Sequence, residues 1–584
     1  MDFRRRISGI GVALGVALAI GWPLATTAGA QNPNPGAPVV EPYTPAKDAK
    51  DLKAVLFNWM WHTGMLKGHD ERDMVATLEY QGKGTIQVDG QPCSLTKFRA
   101  STNYQIFGQR IQYACTRANG QSYSNIEVVS WQYAWNEDVA GAGIGPTKGK
   151  ATPMPNAAQE RLIRIWASPQ GAAKAAVAGT TDTFWLGANP GTLFADGVAK
   201  ASQTSVAWEG GKPVVTFPIP GVAGATATAT LDAKYMAERV VVKQGATTTE
   251  FTYSDYQDWN NPLNKIGVLH AGKMVERRNG AIVRDLTTQV TETGDVYVVV
   301  PVPASVKTAI NVAEPLPRGV FAKTEPAANK SAPTPRLGEH PDLTGNWAFS
   351  DWIGNYMTGG GRRCGPTQGP DCNRSKNQTE DFELYSPSRF GNNGRPLYKP
   401  EHWDKVQQLD MWTNKYDPVM TCQPLGVPRE GPPRRIVQTD KDMIFIYVGG
   451  DAGGGYGEYR IFPTDGRKHP DTAKYDMTYL GDTVGHWEGD TLVLDAVAFI
   501  DTTWLGRGGF FHSDKMHVVE RFTRQGDALL YDVTVEDPDV LVEPYVFPTR
   551  TVRRNMNPNA GLLRERGNCE TSFETEAAAN QIRH

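Results

Sequence analysis

The 584-residue chain lacks most of the signatures that announce a chemistry. It has no G-x-S-x-G elbow, no H-E-x-x-H pair, no P-loop and no G-x-G-x-x-G after a strand. The motif-bearing serine hydrolases, zinc proteases, NTPases and dinucleotide enzymes are therefore set aside. No C-x-x-C occurs among its six cysteines, which removes zinc ribbons and thioredoxin-type redox motifs. Charge of neither sign is in excess. A net charge of -3 and a pI near 6.4 leave no footprint for nucleic acid or anionic lipid. After the first thirty residues no apolar run is long enough to span a bilayer.

What is present begins at the N-terminus. Arg4, Arg5 and Arg6 precede an apolar stretch from Ile7 to Leu24, and Ala28-Gly29-Ala30 offers a small-x-small cleavage site. Residues 1–30 thus read as a secretory signal, and the mature protein as periplasmic or secreted with no transmembrane segment. An oxidising compartment makes disulfides the default for all six cysteines. Cys93 is expected to pair with Cys115. Cys364, Cys372, Cys422 and Cys569 allow three pairings, of which Cys364–Cys372 with Cys422–Cys569 is favoured.

Plentiful glycine, proline and aromatic residues suit sheets joined by turns, so the fold class is mainly β, α+β overall. Residues 31–45 read as a flexible leader and the Pro-rich stretch 304–341 as a linker between domains 46–303 and 342–584. In the first domain, Ala46 to His69 has helical spacing, and Asn156 to Ala178 reads as a helical block broken near Pro169. Strands are predicted at Thr85–Val88, Thr102–Phe107, Arg110–Cys115 and Asn125–Trp135, and again from Lys212 to Tyr253 and at Val296–Val302. In the second, His486 to Asp495 and Val518 to Glu536 read as hairpins. Leu529, Tyr531, Val533 and Val535 share one face of the last strand. Glu520 and Arg521 must point to opposite faces. A charge turned into a barrel there needs a partner or a ligand.

The segment Phe251-Thr252-Tyr253-Ser254-Asp255-Tyr256 resembles a stretch of LolA-like β-domains, as does the order helix, meander, inserted helices, meander. Val128-Val129-Ser130 and Tyr133 to Asp138 resemble exported proteobacterial proteins of the sphingomonad type. The resemblance implies a half-barrel around an apolar cavity, and so a hydrophobic ligand. Gly345-Asn346-Trp347 resembles the first-strand motif of lipocalin-like barrels. The second half resembles an exported family through Cys422 to Arg429, Asp465 to Pro470, Trp487-Glu488-Gly489-Asp490-Thr491-Leu492 and His512-Ser513-Asp514. This implies a lipocalin-like antiparallel barrel or sandwich and lends no chemistry.

The residues themselves suggest where chemistry could lie. Asp465-Gly466-Arg467-Lys468-His469, the Glu488/Asp490 hairpin tip and His512-Ser513-Asp514 are polar clusters on turns, where functional groups concentrate. If they share a rim, His512 or His469 acts as general acid/base, and Asp514 or Glu488 orients it. Arg467 or Arg521 then stabilises an anion. The same Asp-Gly and Glu-Gly-Asp sequences are also ordinary turn chemistry. Trp487, Trp504, Phe510, Phe511 and Asp490 are candidate ligand contacts. No histidine pair has dedicated metal-ligand spacing, so neither metal nor cofactor is expected. Two readings follow. One is cofactor-free hydrolysis, elimination or isomerisation of a small apolar or aromatic compound. The other is a non-catalytic periplasmic carrier of a hydrophobic ligand.

Overall fold

The computed structural model describes residues 45–556 apart from 67–74, 76, 146–147, 181–202, 261–266, 295–296, 313–332, 349–394, 419–422, 448–457, 507 and 548–549. The predicted signal, the leader up to residue 44, and Cys364, Cys372, Cys422 and Cys569 lie outside the described residues. Among the described residues no helix is long and apolar enough to cross a membrane.

The first helix, α1 (Leu52–His62), is shorter than its apolar periodicity predicts. The Asp51 side chain accepts from Ala54 N at 3.0 Å and fixes its start. After its end Gly64 adopts φ +88°, and a Cβ there would lie 2.0 Å from Gly267 O, so the chain must turn away at a glycine. Six strands follow: β1 (Thr77–Val88), β2 (Gln91–Asn103), β3 (Gly108–Arg117), β4 (Ser122–Ser130), β5 (Tyr133–Glu137) and β6 (Ala151–Pro153). The predicted strand to Phe107 stops at Asn103, where a single helical turn, Tyr104–Ile106, takes over.

The predicted helical block is α2 (Ala158–Trp166) and α3 (Pro169–Ala178). Ser168 ends one and caps the other, accepting from Gly171 N, with Pro169 at the first position of α3. Seven more strands return: β7 (Ser205–Glu209), β8 (Lys212–Pro218), β9 (Ala225–Leu231), β10 (Ala237–Gln244), β11 (Thr247–Asn260), β12 (Gly267–Arg278) and β13 (Ala281–Gly294). The two meanders join where β1 pairs with β13, giving one thirteen-stranded antiparallel sheet. The helices pack on one face. Trp59 of α1 meets Phe217 edge-on, and Trp166 of α2 meets Phe107. Each such aromatic, fully buried, contributes roughly 1.5–3 kcal/mol. Cys93 and Cys115 form a disulfide between β2 and β3, as expected.

Tyr297 to Val300 is buried and held by side chains rather than by a neighbouring strand, Asn103 donating to Val298 O and Arg110 to Val299 O, so the strand predicted at Val296–Val302 does not form over residues 297–302. The Pro-rich stretch opens with a helix, α4 (Ala304–Ile310), and ends in a small hairpin, β14 (Arg336–Leu337) with β15 (His340–Pro341). The second sheet is built from β16 (Gly345–Ala348), β17 (Arg435–Gln438), β18 (Asp442–Ile446), β19 (Tyr459–Pro463), β20 (Asp482–Glu488), β21 (Thr491–Val497), β22 (His517–Gln525), β23 (Ala528–Glu536), β24 (Tyr545–Val546) and β25 (Arg550–Arg554). Its order, β19-β18-β17-β16-β25-β23-β22-β21-β20, with β24 on β23, curls into a nearly closed barrel. Two helices, α5 (Trp403–Met411) and α6 (Thr413–Tyr416), lie between β16 and β17 in sequence. Gly345 leaves room for a guanidinium, since a Cβ would fall 1.5 Å from Arg554 Nη1. Arg554 and Arg524 stack over the buried Trp347 ring at 5.5 and 5.4 Å.

The two halves share a seam. Tyr297 and Val299 pack into the core of the second sheet, and Tyr297 Oη donates to Pro396 O at 2.8 Å.

Candidate functional site

Strand alternation turns a set of charged and phenolic side chains into the barrel. On β22, Val518, Glu520, Phe522 and Arg524 face inward, and on β23 Leu529, Tyr531, Val533 and Val535 do. Of the adjacent pair, Glu520 is the inward member, and it has the partner its position requires. Arg460 of β19 reaches across the interior and donates from Nη1 to Glu520 Oε2 at 2.6 Å. Tyr531 Oη donates to the other Glu520 oxygen at 2.8 Å. Arg460 Nε donates to Tyr447 Oη at 2.8 Å. Burial alone would lower the Arg460 pKa, but the Glu520 carboxylate outweighs it and the guanidinium is held firmly charged. Phe445, Phe462 and Phe522 close around this network, with ring centroids 4.9 and 5.0 Å apart.

Beside it lie two more acids. Glu430 follows Arg429, which is locked by a bidentate pair to buried Asp417 at 2.7 and 2.8 Å. Glu458 immediately precedes β19, its carbonyl accepting from Tyr447 N at 2.8 Å. The two carboxyl groups adjoin each other. Burial first, then contact with Glu458, pushes the Glu430 carboxyl well above the usual carboxylate range, against the opposing charges of Arg429 and Arg460. Glu430 Oε1 and Glu458 Oε2 are buried without a conventional donor.

The turn residues singled out in the sequence lie elsewhere and fall into separate groups. His512 is buried. Its Nε2 lies 2.6 Å from Thr503 Oγ1 and its Nδ1 2.8 Å from Ser513 O. Burial lowers its pKa, so the ring is neutral, donating to the carbonyl and accepting from the hydroxyl. Asp514 turns outward to Lys515 at 2.9 Å, and Ser513 is instead held by Asp537. The structure therefore does not bring His512 and Asp514 together, nor does it put Glu488, Arg467 or Arg521 among the partners of His512. Glu488 and Arg521 do meet, at 2.5 Å on the outer face, where Arg521 and then His486 hold the carboxyl low. Arg467 closes on Asp465 within its own turn, and Asp490 meets Arg336 at 2.9 Å.

His469 belongs to a row across the barrel exterior. Its Nδ1 lies 2.5 Å from Asp482 and its Nε2 3.0 Å from Asp495. Asp495 also meets His517 at 3.0 Å, and His517 meets Glu536 at 3.2 Å. Among the described residues no set of three His, Cys, Asp or Glu converges to hold a metal ion. Of the aromatic candidates, Trp487 stacks on His340 at 4.5 Å. Trp504, Phe510 and Phe511 are buried core, the last two packed on Tyr297 and Tyr398 at the seam.

Within the first sheet, a cavity of about 30 Å³ between strands and α2 is lined by Phe251, Tyr253 and Met274 but also by Arg164, Glu276 and Arg284. Arg164 Nε donates to Glu276 at 3.1 Å, and Arg284 Nη2 to Glu127 at 2.9 Å.

No protein-family model matches the chain, and no curated protein does. Among solved structures, a LolA superfamily protein from Nitrosomonas europaea is similar over 42% of this chain and 94% of its own length. The identity is 6% and the TM-score 0.20, an overlap that says nothing about ligand or activity.

Proposed function

We propose that the chain is an exported enzyme whose barrel moves protons on a small, largely apolar or aromatic compound, with Glu430 as acid and Glu458 as base. The observation that carries this reading is the buried carboxyl pair. Two neighbouring acids, with oxygens lacking any other donor, form a proton reservoir beside Arg460, whose guanidinium lies among Phe445, Phe462 and Tyr447. Elimination or isomerisation suits it best. Glu458 takes a proton from one substrate carbon and Glu430 returns one to another atom, so the pair ends with the proton count it began with. Arg460 is already neutralised by Glu520 and serves to fix Tyr447 in the wall. The Cys93–Cys115 bridge supports export to an oxidising compartment.

A carrier of a hydrophobic ligand is compatible with the mainly β fold. A cavity of 30 Å³ has room for about one water, so a larger guest at that position requires α2 to move.

The test works without an identified substrate. Purified protein is incubated with cell-envelope extract in D2O, and compounds gaining carbon-bound deuterium are found by mass spectrometry. Wild type should label at least one compound, and Glu458→Gln should slow labelling by roughly 10²-fold or more. Asp476→Asn, an exposed acid, should leave it unchanged. Equal labelling by wild type and Glu458→Gln, or no labelling by either, would sink the proposal.

A further inference from the structure

We propose that the face of the first sheet opposite its helices carries a second binding site, a groove that takes an acidic oligosaccharide. A groove of about 890 Å³ crosses strands β13, β1, β2, β3 and β4. This size falls within the roughly 300–1,000 Å³ of sites that hold small molecules. The register shows how it is floored. Gln81 lies opposite Gln289 on one side and Arg99 on the other, and Arg99 lies opposite Gln112. Residues directly opposite in an antiparallel pair share a face. Tyr80 and Phe98, the sequence neighbours of Gln81 and Arg99, face the helix-covered core. The glutamine row is therefore on the other side. A second row two residues along places Lys83 opposite Thr287, and Lys97 opposite Ala114.

The chemistry of these rows is selective. Each glutamine offers a donor pair and an acceptor in one neutral group, which matches ring hydroxyls that also do both. Arg99 is already engaged: its Nε lies 2.9 Å from Glu79, its Nη1 2.8 Å from Asp404 and its Nη2 2.9 Å from Gln407. Two acids also line the groove, but Glu137 is neutralised by Arg110 at 3.2 Å and Asp138 accepts from Lys150 N at 2.6 Å, whereas Lys83 and Lys97 have no ion-pair partner among the described residues. They are the cations left for a ligand, and they suit carboxylate substituents. The groove is also lined by Phe98, Tyr113, Ala114 and Ile126, so its floor is mixed, and a lipid chain would have to cover the glutamine rows and both lysines without satisfying them. A nucleic acid would need many more basic contacts than two lysines on a chain of net charge -3 can give. A peptide strand would need a free sheet edge, and this groove lies mid-sheet.

The site is independent of the carboxyl pair, which lies beside the other sheet. The test is isothermal titration of the full mature chain with tetragalacturonate, and with cellotetraose as its uncharged counterpart. Tetragalacturonate should bind, at least tenfold more tightly than cellotetraose and less tightly as salt rises. Lys83→Gln with Lys97→Gln should abolish that preference. Gln81→Ala with Gln289→Ala should weaken both ligands. All four side chains are exposed, so unchanged melting temperatures should show that the variants fold. Glu430→Gln should bind like wild type, which separates this result from the fate of the acid–base reading. The proposal is overturned if tetragalacturonate gives no binding at millimolar concentration, if cellotetraose binds equally well, or if both double variants bind like wild type.

Discussion

Glu520→Gln isolates a charge that has no escape. In the native barrel Glu520 is fully buried, and Arg460, 3% exposed, meets it at 2.6 Å. Glutamine fills the same space and keeps a bond to Tyr531, but leaves a guanidinium buried without its counter-charge. Arginine cannot shed its proton in a protein. Removing one partner of a buried pair costs roughly 3–5 kcal/mol. Arg460→Met behaves differently, because the stranded Glu520 can take a proton. At pH 7 that neutralisation costs about 1.4 kcal/mol for each unit between pH 7 and the unfolded glutamate value near 4.3, or roughly 3.7 kcal/mol. The native variant then binds one proton more than its unfolded chain, so its stability should rise by about 1.4 kcal/mol per unit on acidification from pH 7 to 5. Glu520→Gln should show no such gain. Replacing both, as Arg460→Met with Glu520→Leu, should recover most of the loss, since apolar side chains can replace a buried pair at little cost. Urea unfolding followed by near-ultraviolet circular dichroism at pH 5 and 7 measures all three. A Glu520→Gln protein within about 1 kcal/mol of wild type, or a double variant weaker than both singles, refutes the reasoning.

Three further outcomes are expected. Replacing Cys93 and Cys115 by alanine opens a loop with a sequence separation of 22 and should lower stability by about 3 kcal/mol in urea. His517 is raised to about 9 by its bond to Asp495, against partial burial, with help from Glu536. Its contribution is therefore full below pH 6.5 and lost as pH rises through 9. Because the site is half exposed, the effect stays within about 1 kcal/mol. An imidazole proton titration by NMR that finds an ordinary value in the folded protein contradicts this. His512 is shifted the other way by burial, so the folded protein should lose stability as pH falls below 6.5, where the unfolded chain takes up the proton first. His512→Ala should remove that dependence while costing roughly 2–3 kcal/mol through the void and the lost bond to the Thr503 hydroxyl.

The parts of this protein that follow a local rule were legible in the sequence, and the parts made by closure were not. Period-two alternation placed Tyr531 inside the barrel and set Glu520 and Arg521 on opposite faces, and Ser168-Pro169 marked the break between two helices. The same rule applied to Tyr459-Arg460-Ile461-Phe462 puts Arg460 on the side of Phe462, a buried cation that the search for histidine clusters passed over. Glu430 and Glu458 carry no such mark. Neither lies on a strand, and they meet because the β17–β18–β19 meander separates and then returns them. His512 and Asp514 mislead for the converse reason. Their spacing suggests a pair, but Asp514 begins a turn that carries its carboxylate outward while the imidazole is packed in. A histidine beside an acid in sequence had only a turn to separate it from its partner. A lone arginine in an apolar strand had to find one across the barrel, and that obligation to be neutralised inside is the stronger pointer to where this fold gathers its ionisable groups.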